Sequence, residues 1–327
     1  MTNLTGFVNI VKPTGMTSSD VVLKVKKALK TKKVGHLGTL DPAASGVLPV
    51  AVGKATKFFD YFLNKDKEYF AIVEFGVETD TLDSFGNITN VSSKTVTKED
   101  VLSVLSGFVG EIEQIPPQFS AVKINGKKAC DFAREGVAVE IKPRKIKVFE
   151  LELIEDLGEN KFSFLVHCSA GTYIRTLFSD IAKKLGTISF TPVIIRTKSG
   201  RFNSFNSITI EELQENVEVL KIEEVFSDLQ KFEANDKIAK KLVNGVKVTV
   251  TETGFNVKNN EECFVCYNGS LIGFYKAENG CFKQLIHLYE EKEAGLWLSL
   301  RLQVFVMIFP KATSQPKKFQ NGLFHMA

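Results

Sequence analysis

Runs of apolar residues broken by turn formers give the first outline of the fold. Gly6-Phe7-Val8-Asn9-Ile10-Val11 predicts a strand, stopped by Lys12-Pro13-Thr14-Gly15. Thr17-Ser18-Ser19-Asp20 offers helix-capping chemistry. In the helix expected from Asp20 to Leu29, Val21, Val22, Val25, Ala28 and Leu29 share one face, with most of the lysines opposite. Lys33 to Gly53 is rich in glycine and proline and reads as loop with short strands. Strands are expected over Glu68 to Phe75 and Ile88 to Val96. A helix to Leu105 follows, opened by a Thr97/Asp100 capping box and stopped at Gly107. Phe119 to Ile124 with the Asn125-Gly126 turn, a short helix over Lys127 to Arg134, and a hairpin from Lys145 to Ile154 and Lys161 to Ser169 come next. A strongly patterned helix runs from Thr172 to Leu185 and ends at Gly186. From Lys247 onward short strands at Lys247 to Val250, Cys263 to Tyr267, Leu271 to Tyr275 and Phe282 to Leu288 predict a small β barrel or sandwich. The main part is therefore α+β, with a mixed, largely antiparallel sheet and flanking helices.

Composition adds limits. The chain has 327 residues, 44% hydrophobic and 24% charged, which excludes disorder, collagen and coiled coil as whole-chain readings. Five cysteines and no leader-like run after Met1 point to a reducing, cytoplasmic setting. Gly295 to Phe309 is the most apolar window, but it is shorter than a membrane span and contains Arg301, so no membrane insertion is expected. The net charge of +4 conceals asymmetry. Nine lysines between Lys12 and Lys57 face only Asp20 and Asp41, whereas Glu211 to Lys240 carries nine acids and four lysines. Such a distribution suits a polyanion-facing N-terminal half, although a solvated lysine face would look the same.

One stretch carries chemistry. Lys33 to Val50 is a glycine-hinged loop that displays one carboxylate, Asp41. Pro42 drives Asp41 out of helical geometry, and Gly35, Gly38 and Gly46 permit close backbone or ligand approach. A lone carboxylate among lysines can act as nucleophile or base, or can simply close an Asx turn. Cys263, Cys266, Cys281 and His287 have zinc-like ligand types, but strand alternation sends Cys263 and Cys266 to opposite faces, and no metal is expected.

Gly35-His36, Gly38, Leu40-Asp41-Pro42, Ser45-Gly46-Val47-Leu48-Pro49 and Gly53-Lys54-Ala55-Thr56-Lys57 resemble the nucleophile motif of TruB-type tRNA pseudouridine synthases. Further segments match in the same order. They are Lys12 to Ser18, Lys67-Glu68-Tyr69, Gly76 to Asp80 with Asp83, Gln114 to Pro117, Phe119 to Lys123, Gly126 to Ala129, and His167 to Arg175. The resemblance runs from about residue 5 to 200. It implies a pseudouridine synthase-like fold, tRNA (the T stem-loop) as partner, and isomerisation of uridine-55 to pseudouridine without cofactor. It also implies a monomer that needs no protein partner. Asp41 would be the nucleophile, Tyr69 the tyrosine stacked on the target ring, and Arg175 the arginine paired with the aspartate. His36 would help extrude the base, Lys12 would lie beside the site floor, Ile194 would line the uracil pocket, and Gly38 would belong to the substrate-binding loop.

Three departures stand out. Ile194-Ile195-Arg196-Thr197 replaces a usual Leu-Arg-Arg-Thr run, Cys130 stands where tyrosine is common, and Leu37 replaces a frequent threonine. The expected domains are a catalytic domain over 1–235, a PUA-like RNA-binding module over 236–290 and an unassigned tail over 291–327. Two competing readings keep the fold: a non-catalytic tRNA-binding or tRNA-folding protein, and a guide-RNA-dependent relative. A carboxylate glycosidase would need a second carboxylate near the first, and no paired motif is present.

Overall fold

The computed structural model describes residues 4–213 and 217–289. The most apolar window and the tail beyond it lie outside the described residues. The chain divides into two compact units, Met1–Leu229 and Gln230–Ala327.

The first unit opens with β1 (Gly6–Lys12), α1 (Ser18–Ala28), β2 (Val34–His36), β3 (Ser45–Val52), α2 (Phe59–Leu63) and β4 (Lys67–Phe75). A small hairpin of β5 (Val77–Thr79) and β6 (Ile88–Val91) precedes α3 (Lys98–Leu105) and β7 (Gly110–Gln114). Then come β8 (Lys123–Ile124), β9 (Lys127–Lys128), α4 (Ala129–Arg134), and the long hairpin β10 (Arg144–Gly158) with β11 (Lys161–Cys168). The unit closes with α5 (Ile174–Lys184), β12 (Ser189–Ser199), β13 (Phe202–Asn203) and α6 (Ile222–Val225).

Seven of these strands form one sheet in the order β1-β3-β12-β4-β11-β10-β7, with β2 added to β3 and β13 to β12. Every pairing is antiparallel except β3 with β12, which meet through Ile195↔Ser45 and Arg196↔Gly46. The expected α+β architecture is present. The core joins sheet residues such as Ile10, Val50, Val73 and Phe164 to Val21 and Val25 of α1 and to Leu177, Phe178 and Ile181 of α5. Helix α1 is opened by a reciprocal box between Thr17 and Asp20, and α3 by the same device at Thr97 and Asp100.

Several expectations change. The Lys33 to Gly53 region is not mainly loop: β3 is a buried eight-residue strand. Pro49 fits within it because its carbonyl still accepts from Leu37 N at 2.9 Å. Helix α1 starts earlier than expected, at Ser18. The strand expected over Phe119 to Ile124 shrinks to Lys123–Ile124, and that expected over Ile88 to Val96 ends at Val91.

Gly46 shows why β3 and β12 can meet. Its φ is +106°, and a Cβ built there would lie 2.3 Å from the Arg196 carbonyl oxygen. Gly46→Ala is expected to destabilise the unit by roughly 2–3 kcal/mol, through strain and overpacking together. Urea unfolding would show this as a lower midpoint with an unchanged slope; a midpoint equal to wild type would refute it.

The second unit contains β14 (Gln230–Glu233), α7 (Asp236–Val243), α8 (Val250–Thr253), β15 (Glu262–Tyr267), β16 (Ser270–Glu278) and β17 (Cys281–His287). The four strands form one open sheet in sequence order, so the barrel or sandwich expectation is corrected: no closed barrel is present among the described residues. The strand expected at Lys247 to Val250 shrinks to one antiparallel bridge, Thr249 with Cys281 of β17, because Thr249 also caps α8 through Glu252 N. Ile238, Ala239 and Leu242 of α7 pack with Val265, Ile272 and Phe282 of the sheet. Asn268-Gly269 and Asn279-Gly280 turn the two hairpins in left-handed backbone conformation, as their sequence predicted. Among the described residues no helix is long and apolar enough to cross a membrane, and no three metal-ligating side chains converge.

Candidate active site

Asp41 sits on a turn between β2 and β3 whose two flanks are tied to other elements. Ser18, the first residue of α1, holds Leu40 from both sides: its Oγ accepts from Leu40 N at 2.9 Å and donates to Leu40 O at 3.0 Å. Gly15 N donates to Pro42 O at 2.8 Å, and Ala44 N donates to Asp41 O at 3.1 Å. The turn is thus built by hydrogen bonds to main chain, the usual way to satisfy a segment without a ladder of its own.

Arg175, in the first turn of α5, reaches this loop from the other side of the sheet order. Its Nη2 donates to Asp41 Oδ2 at 2.6 Å and to Phe119 O at 3.0 Å, and Nη1 donates to Thr81 O at 2.7 Å. Asp83 Oδ2 lies 3.5 Å from Nη1. The guanidinium is 3% exposed and therefore fully engaged, whereas the Asp41 side chain is 38% exposed. A buried cation between two carboxylates and two carbonyls is well compensated. Asp83 is itself fixed, accepting from Thr81 Oγ1 at 2.7 Å and Phe85 N at 3.0 Å. Asp41 is thereby held by one oxygen while its side chain keeps a reachable face, the geometry a carboxylate nucleophile requires.

The helix that carries Arg175 is anchored at its start. Gln114, on β7, exchanges two amide hydrogen bonds with the Tyr173 main chain, at 2.8 and 3.1 Å. The bond to Tyr173 N satisfies a donor that a helix start leaves open, and the other shares a carbonyl that also accepts from Leu177 N.

Two cavities meet at the Asp41–Arg175 pair. The smaller, about 240 Å³, is walled by Gly38, Lys67, Tyr69, Tyr173, Ile194 and Arg196. The larger, about 420 Å³, is lined by His36, Phe85, Phe119, Lys128 and Cys130 among others. Thr39, Leu40, Asp41, Ala121 and Arg175 line both. The structure therefore brings Asp41, Tyr69, Arg175, Gly38 and Ile194 around one chamber and puts His36 on the adjoining one.

Lys12 lies behind the chamber, near enough to Asp41 and Arg196 to feel their charges. It is buried beneath the 13–16 loop and absent from the residues lining both cavities. Its Nζ donates to Pro13 O at 2.9 Å and Met16 O at 2.8 Å, so it supports the loop that holds Pro42.

Burial dominates the electrostatics. The Tyr69 phenol is pushed up to about 12 by burial, against the opposing pull of Arg196, so it stays protonated at neutral pH. Burial also lowers His36 below its ordinary value, helped by the Arg196 and Lys128 charges. Lys12 falls to about 8 through burial, partly offset by Asp41, and Lys67 falls to about 8 for the same main reason. Burial pushes the Cys168 thiol up to about 12.

These shifts set a pH signature. Between about 8 and 10.5 the unfolded chain binds the lysine protons that the folded one has released, so Lys12 and Lys67 add stability as pH rises. Above its ordinary value of 9.0, Cys168 ionises only when unfolded and subtracts stability. Two lysines outweigh one cysteine, so the unfolding free energy of the first unit is expected to rise from pH 8 to about 10 and to flatten or fall beyond, where Tyr69 also ionises only when unfolded. Urea titrations at stepped pH would show this, and a steady fall from pH 8 would contradict it.

Arg196 and Asp83 are site residues to which sequence reasoning assigned no role. Arg196 had a signal: it directly follows the apolar run Val193-Ile194-Ile195, and a charge drawn into a core beside such a run is buried only with partners. Asp83 stood in a segment that carries the resemblance, but nothing local showed that it would face Arg175.

Comparison with known proteins follows this geometry. Residues 26–174 match the family described as TruB family pseudouridylate synthase (N terminal domain). The chain is 39% identical over 294 residues to the tRNA pseudouridine synthase B of Clostridium perfringens, covering 88% of this chain and all of that one. It is 44% identical to the protein of the same name from Bacillus pumilus over 74% of this chain and 82% of that one. Among solved structures, a Cbf5-Nop10-Gar1 complex contains a chain with TM-score 0.66 and 27% identity, covering 88% of this chain and 86% of its own. The fold and the site define a pseudouridine synthase. This chain belongs to the TruB family.

Proposed function

We propose that the protein isomerises uridine-55 in the T arm of tRNA to pseudouridine, with Asp41 as nucleophile. The observation that carries this reading is the Asp41–Arg175 pair at 2.6 Å, buried on the arginine side and open on the aspartate side. Its location at the junction of a small chamber and a wider groove supports the same reading. The target nucleotide leaves its stack and enters the smaller chamber between Tyr69 and Ile194, while the wider groove past His36 and Lys128 takes the flanking RNA. The neutral phenol of Tyr69 offers an aromatic face to the ring rather than a resting-state base. Neutral His36 can hydrogen-bond or stack with displaced bases, and the lysines of α1 and its surroundings meet phosphates.

Asp41 adds to the uridine, the bond from ribose C1′ to N1 breaks, and the ring turns. A bond from C1′ to C5 then forms, C5 loses its proton, N1 gains one, and Asp41 is released. The chain acts alone, as a monomer in the cytoplasm, and its five free cysteines suit a reducing compartment. The second unit would add RNA contacts as a PUA-like module.

Incubating the purified chain with a T-arm hairpin RNA and mapping pseudouridine tests this. Conversion at uridine-55 without added protein or RNA supports a stand-alone enzyme. No conversion, or conversion only with a guide RNA, would replace this reading with the assembly seen in the Cbf5 relatives.

A further inference from the structure

The geometry points to Arg196 as a positioning residue that holds both flanks of the Asp41 turn and the Tyr69 phenol in one frame. This inference rests on Asp41 being the nucleophile.

Arg196 stands on β12 directly opposite Tyr69 of β4 and beside Gly46 of β3. It is 1% exposed. Its Nε donates to Val47 O at 2.8 Å, Nη1 to Thr39 O at 3.1 Å and Nη2 to Gly38 O at 3.3 Å. Its cross-strand partner Tyr69 lines the same chamber, near enough for the guanidinium charge to pull against the rise of the phenol. Two of those carbonyls precede Asp41 and one follows it. A planar fork with five donors can span such a set, whereas a lysine ammonium, a point charge on a flexible stem, cannot.

The two buried arginines therefore divide the task. Arg175 sets the direction of the Asp41 carboxylate by bonding to it. Arg196 never bonds to that carboxylate; it fixes where the turn stands relative to the ring that would pack on Tyr69. The close approach allowed at Gly46 is what brings the Arg196 backbone into reach. Nucleophile and stacking surface are then located by one rigid group. The reaction is sensitive to this distance, since a displacement of about 1 Å at a reacting centre costs on the order of 10²-fold in rate.

The test compares wild type with Arg196→Lys and Arg196→Gln on a T-arm hairpin RNA, under steady-state and single-turnover conditions. Both variants are expected to lose about 10²-fold in kcat, with KM and hairpin Kd within about threefold of wild type. A double-mutant cycle supplies the readout that a merely structural role would not move. Because Tyr69 stands opposite Arg196 on the neighbouring strand and lines the same chamber, Tyr69→Phe combined with Arg196→Lys should lose less than the product of the single losses. If Arg196→Gln fails to fold, Arg196→Lys decides. A kcat for Arg196→Lys within about threefold of wild type, a rise in KM with kcat intact, or fully multiplicative losses would each overturn the inference. A wild type inactive on the hairpin would instead sink the functional reading, and this inference with it.

Discussion

Asp41→Asn is expected to abolish pseudouridine formation, by on the order of 10³-fold or more, while hairpin affinity stays within about threefold of wild type. Asparagine has the same shape and can still accept from Arg175 Nη2, so the turn should persist. What is lost is the anionic oxygen that attacks. The Asp41 side chain is 38% exposed, so replacing it leaves no large buried hole. The pins at Leu40 and Pro42 are made by main chain and by Ser18, not by the carboxylate. Pseudouridine mapping and a binding titration on the same preparation measure both halves. Turnover within about tenfold of wild type would remove Asp41 from the role of nucleophile. Loss of binding in parallel with activity would recast it as a recognition residue.

Arg175→Met is expected to cost about 3 kcal/mol of stability and to eliminate turnover. Breaking a buried ion pair by deleting one partner typically costs 3–5 kcal/mol, because the other charge is left behind. The lower end applies, since Asp41 can turn to water. Asp83 cannot do so as readily: its side chain is 8% exposed and remains tied to Thr81 and Phe85. The carbonyls of Thr81 and Phe119 also lose their donor. Arg175→Lys should recover part of the stability, because one ammonium cannot serve all four acceptors. Chemical denaturation gives the number. A loss below about 1 kcal/mol would mean that water replaces the guanidinium and that the pair is not the pillar described here.

The local elements of this fold were readable from the sequence because their causes are local. The Thr17/Asp20 and Thr97/Asp100 boxes, the apolar face of Val21, Val22 and Val25, and the Asn-Gly turns each act within a few residues. Strand β12 was missed for the opposite reason. Ser189 to Ser199 mixes Pro192, Thr197 and Lys198 with an apolar run, and its strand character comes from β4 on one side and β3 on the other. The expected strand from Phe119 was cut short by a distant residue, since the Phe119 carbonyl is taken by Arg175. The chain beyond Val91 is likewise diverted: Ser92 N bonds to Gly76 O and Val96 N to the Asn160 side chain.

The site divides along the same line. Asp41, Tyr69 and Arg175 were legible because each stands in a motif with a resemblance. Ser18, Asp83 and Arg196 also stand in such segments, but their support was not legible, because what they hold lies 22, 92 and about 150 residues away in the chain. For Lys12 the motif was legible, but its buried contacts with Pro13 and Met16 were not, because they depend on how the 13–16 loop folds over it.

The narrow parallel contact between β3 and β12 has a consequence for how the enzyme comes into being. Its two paired positions join segments that leave the ribosome about 150 residues apart. Contacts of such long span carry a heavy loop-closure cost and form late. The nucleophile's turn, the arginine that clamps it and the tyrosine opposite are assembled only when that seam closes. A complete but partly unfolded chain thus holds Asp41, Tyr69 and Arg175 and yet has no chamber. The protein's lysine-rich early segment can meet RNA before then, but it cannot modify it, so competence arrives as a single event at the end of folding.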